Sequence, residues 1–178
     1  MLILIAGGAR SGKSSYAESR LSELSGYPKI YMAVSKIYDD EMRERVKIHQ
    51  AMRKGKGFLT LERTQDLGNA EIPFGSDIMI ESLTVWAANE MFTDEGVNAS
   101  DSVVSKILLD LGKLLLRAGN VVIVTDDIFS DGGGFDELTE GYVKCLAELT
   151  VKIAEISGEV WECYSGINIC YKTKENNL

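Results

Sequence analysis

The sequence predicts an α/β fold in which helices cover both faces of a mostly parallel sheet. Short apolar segments rich in β-branched residues alternate with longer helical patterns along the 178 residues. Their central residues are mostly apolar without alternation, as in Val121 to Val124, which is typical of strands buried on both faces. A glycine-rich loop also follows the first of them directly. The length suits one domain, and we expect residues 1–178 to form it.

The elements follow one another as strand and helix pairs. Continuous apolar runs predict strands at Leu2 to Ala6, Lys29 to Ala33, Asp77 to Glu81, Val121 to Thr125 and Glu159 to Tyr164. The intervening helical patterns predict helices at Lys13 to Leu24, Asp39 to Met52, Leu83 to Phe92, Ser102 to Arg117 and Asp136 to Ile156. Ile167 to Lys172 follows the turn Ser165-Gly166 and is expected to add an antiparallel edge as a terminal hairpin. Polar or glycine-rich loops are expected at Lys54 to Gly57, Asn69 to Ser76, Asp94 to Asp101 and Asp131 to Gly134.

Composition narrows the classes of function. The chain has 27 acidic and 19 basic residues and a net charge of −8, which disfavours non-specific binding to nucleic acid. Its three cysteines, Cys145, Cys163 and Cys170, lack a metal-binding spacing and indicate reduced thiols. Neither a membrane span nor a targeting segment is evident, so we expect a cytoplasmic protein.

A complete phosphate-binding loop lies between the first strand and the first helix. Residues 7–14 read GGARSGKS and match the pattern GxxxxGK followed by Ser or Thr. Small residues let backbone N–H groups converge on phosphate oxygens, Lys13 would reach the β and γ phosphates, and the Ser14 hydroxyl would ligate Mg²⁺. The expected fold class is therefore a P-loop, RecA-like α/β domain that binds a nucleoside triphosphate. The candidate contacts are Gly7, Gly8, Ala9, Arg10, Ser11, Gly12, Lys13 and Ser14.

Two predicted strands end in acidic residues that could hold the water shell of the metal. Glu81 ends one of them, while Asp126 and Asp127 follow the other. Both strand ends should lie at the carboxyl edge of the sheet, beside the phosphate loop. Each acid could instead cap the helix that follows its strand.

His49 is the single histidine of the chain. If its surroundings are helical, Arg45, His49 and Arg53 share one face at four-residue spacing. Two guanidinium groups would favour the neutral imidazole, the form that attacks phosphorus. A solvated surface histidine fits the same spacing, so the spacing alone leaves both readings open.

Taken together, these blocks resemble one family, the bifunctional adenosylcobinamide kinase / adenosylcobinamide-phosphate guanylyltransferase of cobalamin synthesis. The pattern Asp-Asp-Glu-Met followed by His49 is more specific than the phosphate loop. The resembling blocks run along nearly the whole chain: residues 7–14, 31–35, 39–49, 80–84, 121–125, 159–161 and 165–167.

The resemblance implies two reactions. The enzyme would phosphorylate a hydroxyl of adenosylcobinamide with ATP or GTP, then take GMP from GTP onto His49 and pass it to the new phosphate. A homotrimer is implied as well. Glu81 becomes a nucleotide contact, which leaves Asp126 or Asp127 as the acid near the metal with Ser14. Beyond the loop, the implied nucleotide contacts are Ala33, Val34, Ser35, Gln50, Ala51, Met52, Arg53, Glu62 and Glu81.

The chain departs from the family pattern after Thr125. Asp126-Asp127 stand where the family has Asn-Glu, and residues 129–134 replace a Gly-Ile-Val-Pro loop. Two alternatives therefore accompany the bifunctional reading. One is an enzyme with guanylyl transfer alone, and the other is a nucleotide-binding module without turnover.

Overall fold

The computed structural model of the protein describes residues 1–35, 57–128 and 136–173. Within these ranges the α-helices are α1 (Lys13–Glu23), α2 (Leu83–Met91), α3 (Ser100–Leu115) and α4 (Glu137–Ile156), and a 3₁₀ helix spans Leu67–Asn69. The strands are β1 (Leu2–Gly7), β2 (Lys29–Ala33), β3 (Phe58–Glu62), β4 (Asp77–Glu81), β5 (Phe92–Thr93), β6 (Gly96–Val97), β7 (Asn120–Asp126), β8 (Glu159–Tyr164) and β9 (Ile167–Lys172).

Seven strands form the central sheet in the order β3-β2-β4-β7-β1-β8-β9. The pairs from β3 through β8 are parallel, and β9 returns antiparallel to β8. The predicted fold class and the terminal hairpin are thus confirmed. Since β1 lies between β7 and β8, the loop that follows β1 is flanked by the carboxyl ends of both neighbours.

The alternation of side chains along each strand divides the core between the two faces of the sheet. On one face, Leu4, Ile80 and Ile123 pack with the apolar sides of α2, α3 and α4 around the fully buried Trp86. On the other face, the core under α1 is smaller. Its buried members are Ile3, Ile5, Ala17, Leu21, Tyr31, Met79, Val122, Val124 and Cys163.

The helices begin in different ways. The Ser82 hydroxyl caps α2 by accepting from the Val85 N–H, and Asp136 caps α4 by accepting from the Thr139 N–H. The first turn of α1 follows Gly12, which has a φ of 95° and forms no side-chain cap. The N–H groups of that turn therefore face the phosphate loop and have no side-chain cap from the described residues.

Two parts of the described fold differ from the sequence prediction. Residues 58–62 form the edge strand β3, which we had not predicted, and β5 and β6 form a short hairpin that extends into the expected loop Asp94 to Asp101. β3 contains the polar residues Thr60 and Glu62 and is partly exposed along its length, unlike the apolar strands inside the sheet. The predicted helix Asp39 to Met52 and the loop residues 54–56 and 131–134 lie outside the described residues.

None of the described helices combines the length and hydrophobicity required to cross a membrane.

Candidate nucleotide-binding site

The loop at residues 7–14 joins the carboxyl end of β1 to the start of α1. Arg10 and Gly12 both adopt positive φ values, 59° and 95°, which turn the chain sharply before the helix. The Ser11 N–H donates to the Gly8 carbonyl at 3.3 Å, and the Gly166 N–H donates to the Ser11 carbonyl at 3.1 Å. The turn between β8 and β9 therefore supports the loop from one side.

Gly7 is required by close packing. A Cβ at this position would lie 2.6 Å from the Cys163 carbonyl oxygen and 2.6 Å from the Ser11 Oγ. A Cβ placed at Gly8 would have no described atom within 4 Å. The Ser11 hydroxyl is buried and has no hydrogen-bond partner among the described residues, so it is a donor available inside the loop.

Lys13 lies between the loop and the end of β7. Its ammonium group donates to the Gly8 carbonyl at 3.2 Å and lies 2.8 Å from Asp126 Oδ1. The other carboxylate oxygen of Asp126 accepts from the Thr84 hydroxyl at 2.7 Å, and Thr84 is 2.5 Å from the Ser82 hydroxyl. Asp126 is thus held from both sides, by the loop lysine and by the start of α2.

The environment of Asp126 favours its charged form. Burial alone would raise the pKa, but hydrogen bonds from Lys13 and Thr84 outweigh burial and lower the pKa below its ordinary value of 3.8. On the neighbouring helix α4, burial and the nearby negative charge of Asp126 raise the pKa of Tyr142 to about 12. The Tyr142 hydroxyl donates to the Thr84 carbonyl at 2.8 Å. A fixed anion therefore lies beside the loop lysine at neutral pH.

Ser14 contacts the other acid. Its hydroxyl donates to Glu81 Oε1, and the Tyr31 hydroxyl donates to Glu81 Oε2 at 2.9 Å. The sequence left two places for an acid near the metal, Glu81 and Asp126, and the resemblance favoured Asp126. In the structure Glu81 contacts the Ser14 hydroxyl, whereas Asp126 contacts Lys13.

Three residues that the resemblance assigned to nucleotide binding lie in one row across the sheet. Ala33 at the end of β2 pairs with Glu62 of β3 on one side and with Glu81 of β4 on the other. Val34, the next residue, has a fully buried side chain, and its carbonyl accepts from the Asn89 side chain at 2.7 Å. Any contact that Val34 makes with a nucleotide must therefore come from its backbone.

Several other predicted residues cannot be placed. His49, Gln50, Ala51, Met52 and Arg53 lie outside the described residues, as do Arg45 and the segment 129–134 that departs from the family pattern.

A second acidic cluster lies away from the loop. Oxygens of Asp66, Glu90 and Asp110 lie within 4.8 Å of one another. The Lys106 ammonium group contacts Asp66 and lies 3.6 Å from Glu90 and 3.3 Å from Asp110. Because this ammonium already contacts all three carboxylates, we interpret the cluster as an ion-pair network that joins α3 to α2.

Sequence reasoning missed Tyr31 and Thr84, which orient the two acids of the site. Thr84 lies in one of the resembling blocks but was given no role there. Tyr31 lies in the resembling block at residues 31–35 and was likewise given no role there. Its position two residues before the end of a strand becomes informative only when β2 and β4 are known to be neighbours.

Together, the sheet order, the loop geometry and the two acids define a P-loop nucleotide-binding domain. A solved structure with a similar fold is a KaiC-like protein from Pyrococcus horikoshii OT3, with a TM-score of 0.52 and 12% identity over 99% of this chain and 81% of that one.

Comparison with sequence families is more specific. The family described as "Cobinamide kinase / cobinamide phosphate guanyltransferase" matches residues 3–171, and the chain belongs to this family. The protein is therefore a transferase. It is 29% identical to the "Bifunctional adenosylcobalamin biosynthesis protein CobU" of Escherichia coli strain K12, over 97% of this chain and 100% of that one. It is also 33% identical to the "Bifunctional adenosylcobalamin biosynthesis protein CobP" of Pseudomonas aeruginosa, over 85% of this chain and 86% of that one.

Proposed function

We propose that this protein catalyses both family reactions. It phosphorylates a hydroxyl of adenosylcobinamide with ATP or GTP, and it transfers GMP from GTP through His49 to give adenosylcobinamide-GDP. The observation that carries the proposal is the intact loop, in which Lys13 contacts Asp126 at the carboxyl end of β7 and Ser14 contacts Glu81 at the carboxyl end of β4. Family membership adds the corrinoid as the acceptor.

In the phosphoryl-transfer step the loop binds and orients the triphosphate. Backbone N–H groups at the uncapped start of α1 bind phosphate oxygens, and the buried Ser11 hydroxyl is a further donor. Lys13 neutralises charge that moves onto the bridging and terminal oxygens as the bond to the γ phosphate breaks. To reach these oxygens, Lys13 gives up part of its contact with Gly8 or Asp126.

The oxygen ligands at the start of α1 fit a magnesium ion. The Ser14 hydroxyl and the Glu81 carboxylate are hard oxygen donors already within hydrogen-bond distance of each other. We therefore place the metal at Ser14, with Glu81 holding its water shell, and assign Asp126 to Lys13 rather than to the metal. Bound there, Mg²⁺ supplies positive charge to the phosphates.

Guanylyl transfer depends on His49. A neutral imidazole nitrogen attacks the α phosphorus of GTP and pyrophosphate leaves, which creates a phosphorus–nitrogen bond. In the second half of the reaction the phosphate oxygen of the corrinoid attacks the same phosphorus, and His49 leaves. The support for His49 is the resemblance, together with its spacing from Arg45 and Arg53.

The remaining nucleotide contacts are proposed on the same basis. Glu62 and Ala33 lie in register with Glu81 at the carboxyl edge, where a ribose or a base would extend from the loop. Residues 50–53 and Ser35 complete the proposed set. We further propose a cytoplasmic homotrimer, as the resemblance implies.

The kinase half is tested by incubating the full chain with cobinamide and nucleotide labelled on the γ phosphate. The proposal expects label in the corrinoid, unchanged in His49→Ala and lost in Lys13→Ala. If wild-type protein transfers no γ phosphate but still transfers GMP to chemically supplied cobinamide phosphate, the alternative with guanylyl transfer alone is correct. Of the two alternatives, guanylyl transfer alone is favoured by the departure from the family pattern at Asp126-Asp127.

A further inference from the structure

We propose that Tyr31 is a positioning residue for the divalent cation of the nucleotide site. Its hydroxyl donates to one carboxylate oxygen of Glu81 and so holds the side chain in the orientation in which the other oxygen accepts from Ser14. This inference rests on the proposed nucleotide function, and it adds a residue to which neither the sequence motifs nor the family comparison gave a role.

The strand register explains why Tyr31 reaches Glu81. β2 and β4 are parallel neighbours in which Tyr31 pairs with Met79 and Ala33 pairs with Glu81. Tyr31 and Met79 both pack in the core under α1. Glu81 is two residues beyond Met79, so it projects from the same face, diagonal to Tyr31 and within reach of a long aromatic side chain.

The contact forms a chain of three side chains from the sheet to α1. The Tyr31 ring is 7% exposed and is fixed among apolar side chains, so its hydroxyl has little freedom. It donates to Glu81 Oε2 at 2.9 Å, while Glu81 Oε1 accepts from the Ser14 hydroxyl in the first turn of α1. The rigid phenol therefore restrains a glutamate that would otherwise rotate about its side-chain torsions.

This restraint matters because a metal's outer partners determine how well its ligands are oriented. Replacing a direct partner of a metal ligand typically costs 10- to 100-fold in metal affinity, and because Glu81 acts through the water shell we expect the lower end of this range for Tyr31. Tyr31 is buried and its hydroxyl donates to Glu81, so its effect should pass through that carboxylate and appear in cation dependence and not in metal-free nucleotide binding.

The test uses the full-length chain and two matched tyrosine variants. Tyr31→Phe removes the hydroxyl and keeps the ring. Tyr16→Phe is the control, because the Tyr16 ring packs edge-on against Trp161 with centroids 5.4 Å apart and the hydroxyl contacts neither acid of the site. Binding of a non-hydrolysable GTP analogue is measured by calorimetry in excess EDTA and then across a Mg²⁺ titration. Binding of Mn²⁺ to the protein–nucleotide complex is measured by electron paramagnetic resonance.

We expect Tyr31→Phe to require about tenfold more Mg²⁺ for half of its binding enhancement and to bind Mn²⁺ about tenfold more weakly. Its affinity in EDTA should match wild type, and Tyr16→Phe should match wild type throughout. Combining Tyr31→Phe with Glu81→Gln should give little additional loss, because both changes act through one carboxylate.

Two results would overturn the inference. One is a cation dependence in Tyr31→Phe that equals wild type. The other is an equal loss with and without metal, which indicates a packing role for the tyrosine. Failure of the proposed function looks different, because wild-type protein would then bind no nucleotide under either condition.

Discussion

At the scale of single residues, the two acids of the site differ in partner and in solvent access. Asp126 accepts from Lys13 and Thr84, and its side chain is 37% exposed. Glu81 accepts from two hydroxyl groups and contacts no cation among the described residues. This difference is why we propose Glu81 for the magnesium site and propose that Asp126 orients the loop lysine.

The Lys13–Asp126 pair makes a pH-dependent contribution to stability. The folded-state pKa of Asp126 lies below the ordinary value of 3.8, so the contribution is present above that value and is lost as pH falls through the folded pKa. Because the side chain is more than a third exposed, solvent screening keeps the contribution to about 1 kcal/mol or less. Urea unfolding should show wild type more stable than Asp126→Asn at pH 7, with the difference shrinking as the pH is lowered below 3.8. A difference that persists at low pH would refute this assignment.

Gly7 and Gly8 form a matched pair for testing the loop. Gly7→Ala places a Cβ 2.6 Å from the Cys163 carbonyl, so the backbone of β8 or of the loop must shift, at a cost of about 1–3 kcal/mol. A Cβ at Gly8 meets none of the described atoms within 4 Å, so Gly8→Ala should change the free energy of unfolding by less than about 0.5 kcal/mol. Denaturant unfolding of both variants checks the difference, and equal costs would contradict the packing described for Gly7.

At the scale of elements, Lys106 joins α3 to the end of α2 and to the segment around Asp66. Glu90 and Asp110, at 3% exposure each, are almost completely buried. The carboxylate of Glu90 also accepts from the Asp66 N–H at 2.9 Å. The network therefore places carboxylates close together around one shared cation.

Replacing Lys106 by methionine should leave those carboxylates without their common partner. We expect a loss of about 2 kcal/mol, below the usual cost of breaking a buried pair because the lysine itself is 38% exposed. Lys152→Met is the control, since Lys152 forms an exposed pair with Glu148 at 3.7 Å and should cost less than about 0.5 kcal/mol. Thermal and urea unfolding measure both. If millimolar Mg²⁺ restored the stability of Lys106→Met, the cluster would instead be a cation site.

The elements also show what the sequence could predict. β1 and β7 were found because strands buried on both faces are apolar throughout, and residues 7–14 were found because phosphate binding constrains consecutive residues. β3 was missed because it lies at the sheet edge, where Leu59 is 56% exposed and the apolar signal is weak. The pairing of Ser14 with Glu81 and of Lys13 with Asp126 could not be predicted, because it depends on the strand order.

At the scale of the whole molecule, the strand order brings the parts of the site together. With β1 between β7 and β8, the loop has Asp126 on one side and the Gly166 turn on the other. β4 and β2 lie further along the same edge and supply Glu81 and Ala33. Residues from distant parts of the chain thus meet at one carboxyl edge, where ligands bind in open α/β sheets. Because the net charge is −8, the overall field disfavours a polyanion, and the proposed triphosphate would be held by this local site.

The central claim is that this domain adds a covalent guanylyl step on His49 to ordinary P-loop chemistry. The most direct measurement incubates the full chain with Mg²⁺ and GTP labelled on the α phosphate, then separates protein from nucleotide under denaturing conditions. We predict label on the protein that is stable in base and labile in acid, as a phosphorus–nitrogen bond requires, and that is absent from His49→Ala even though this variant still binds GTP. Wild-type protein without label, or His49→Ala labelled as strongly as wild type, would contradict the account.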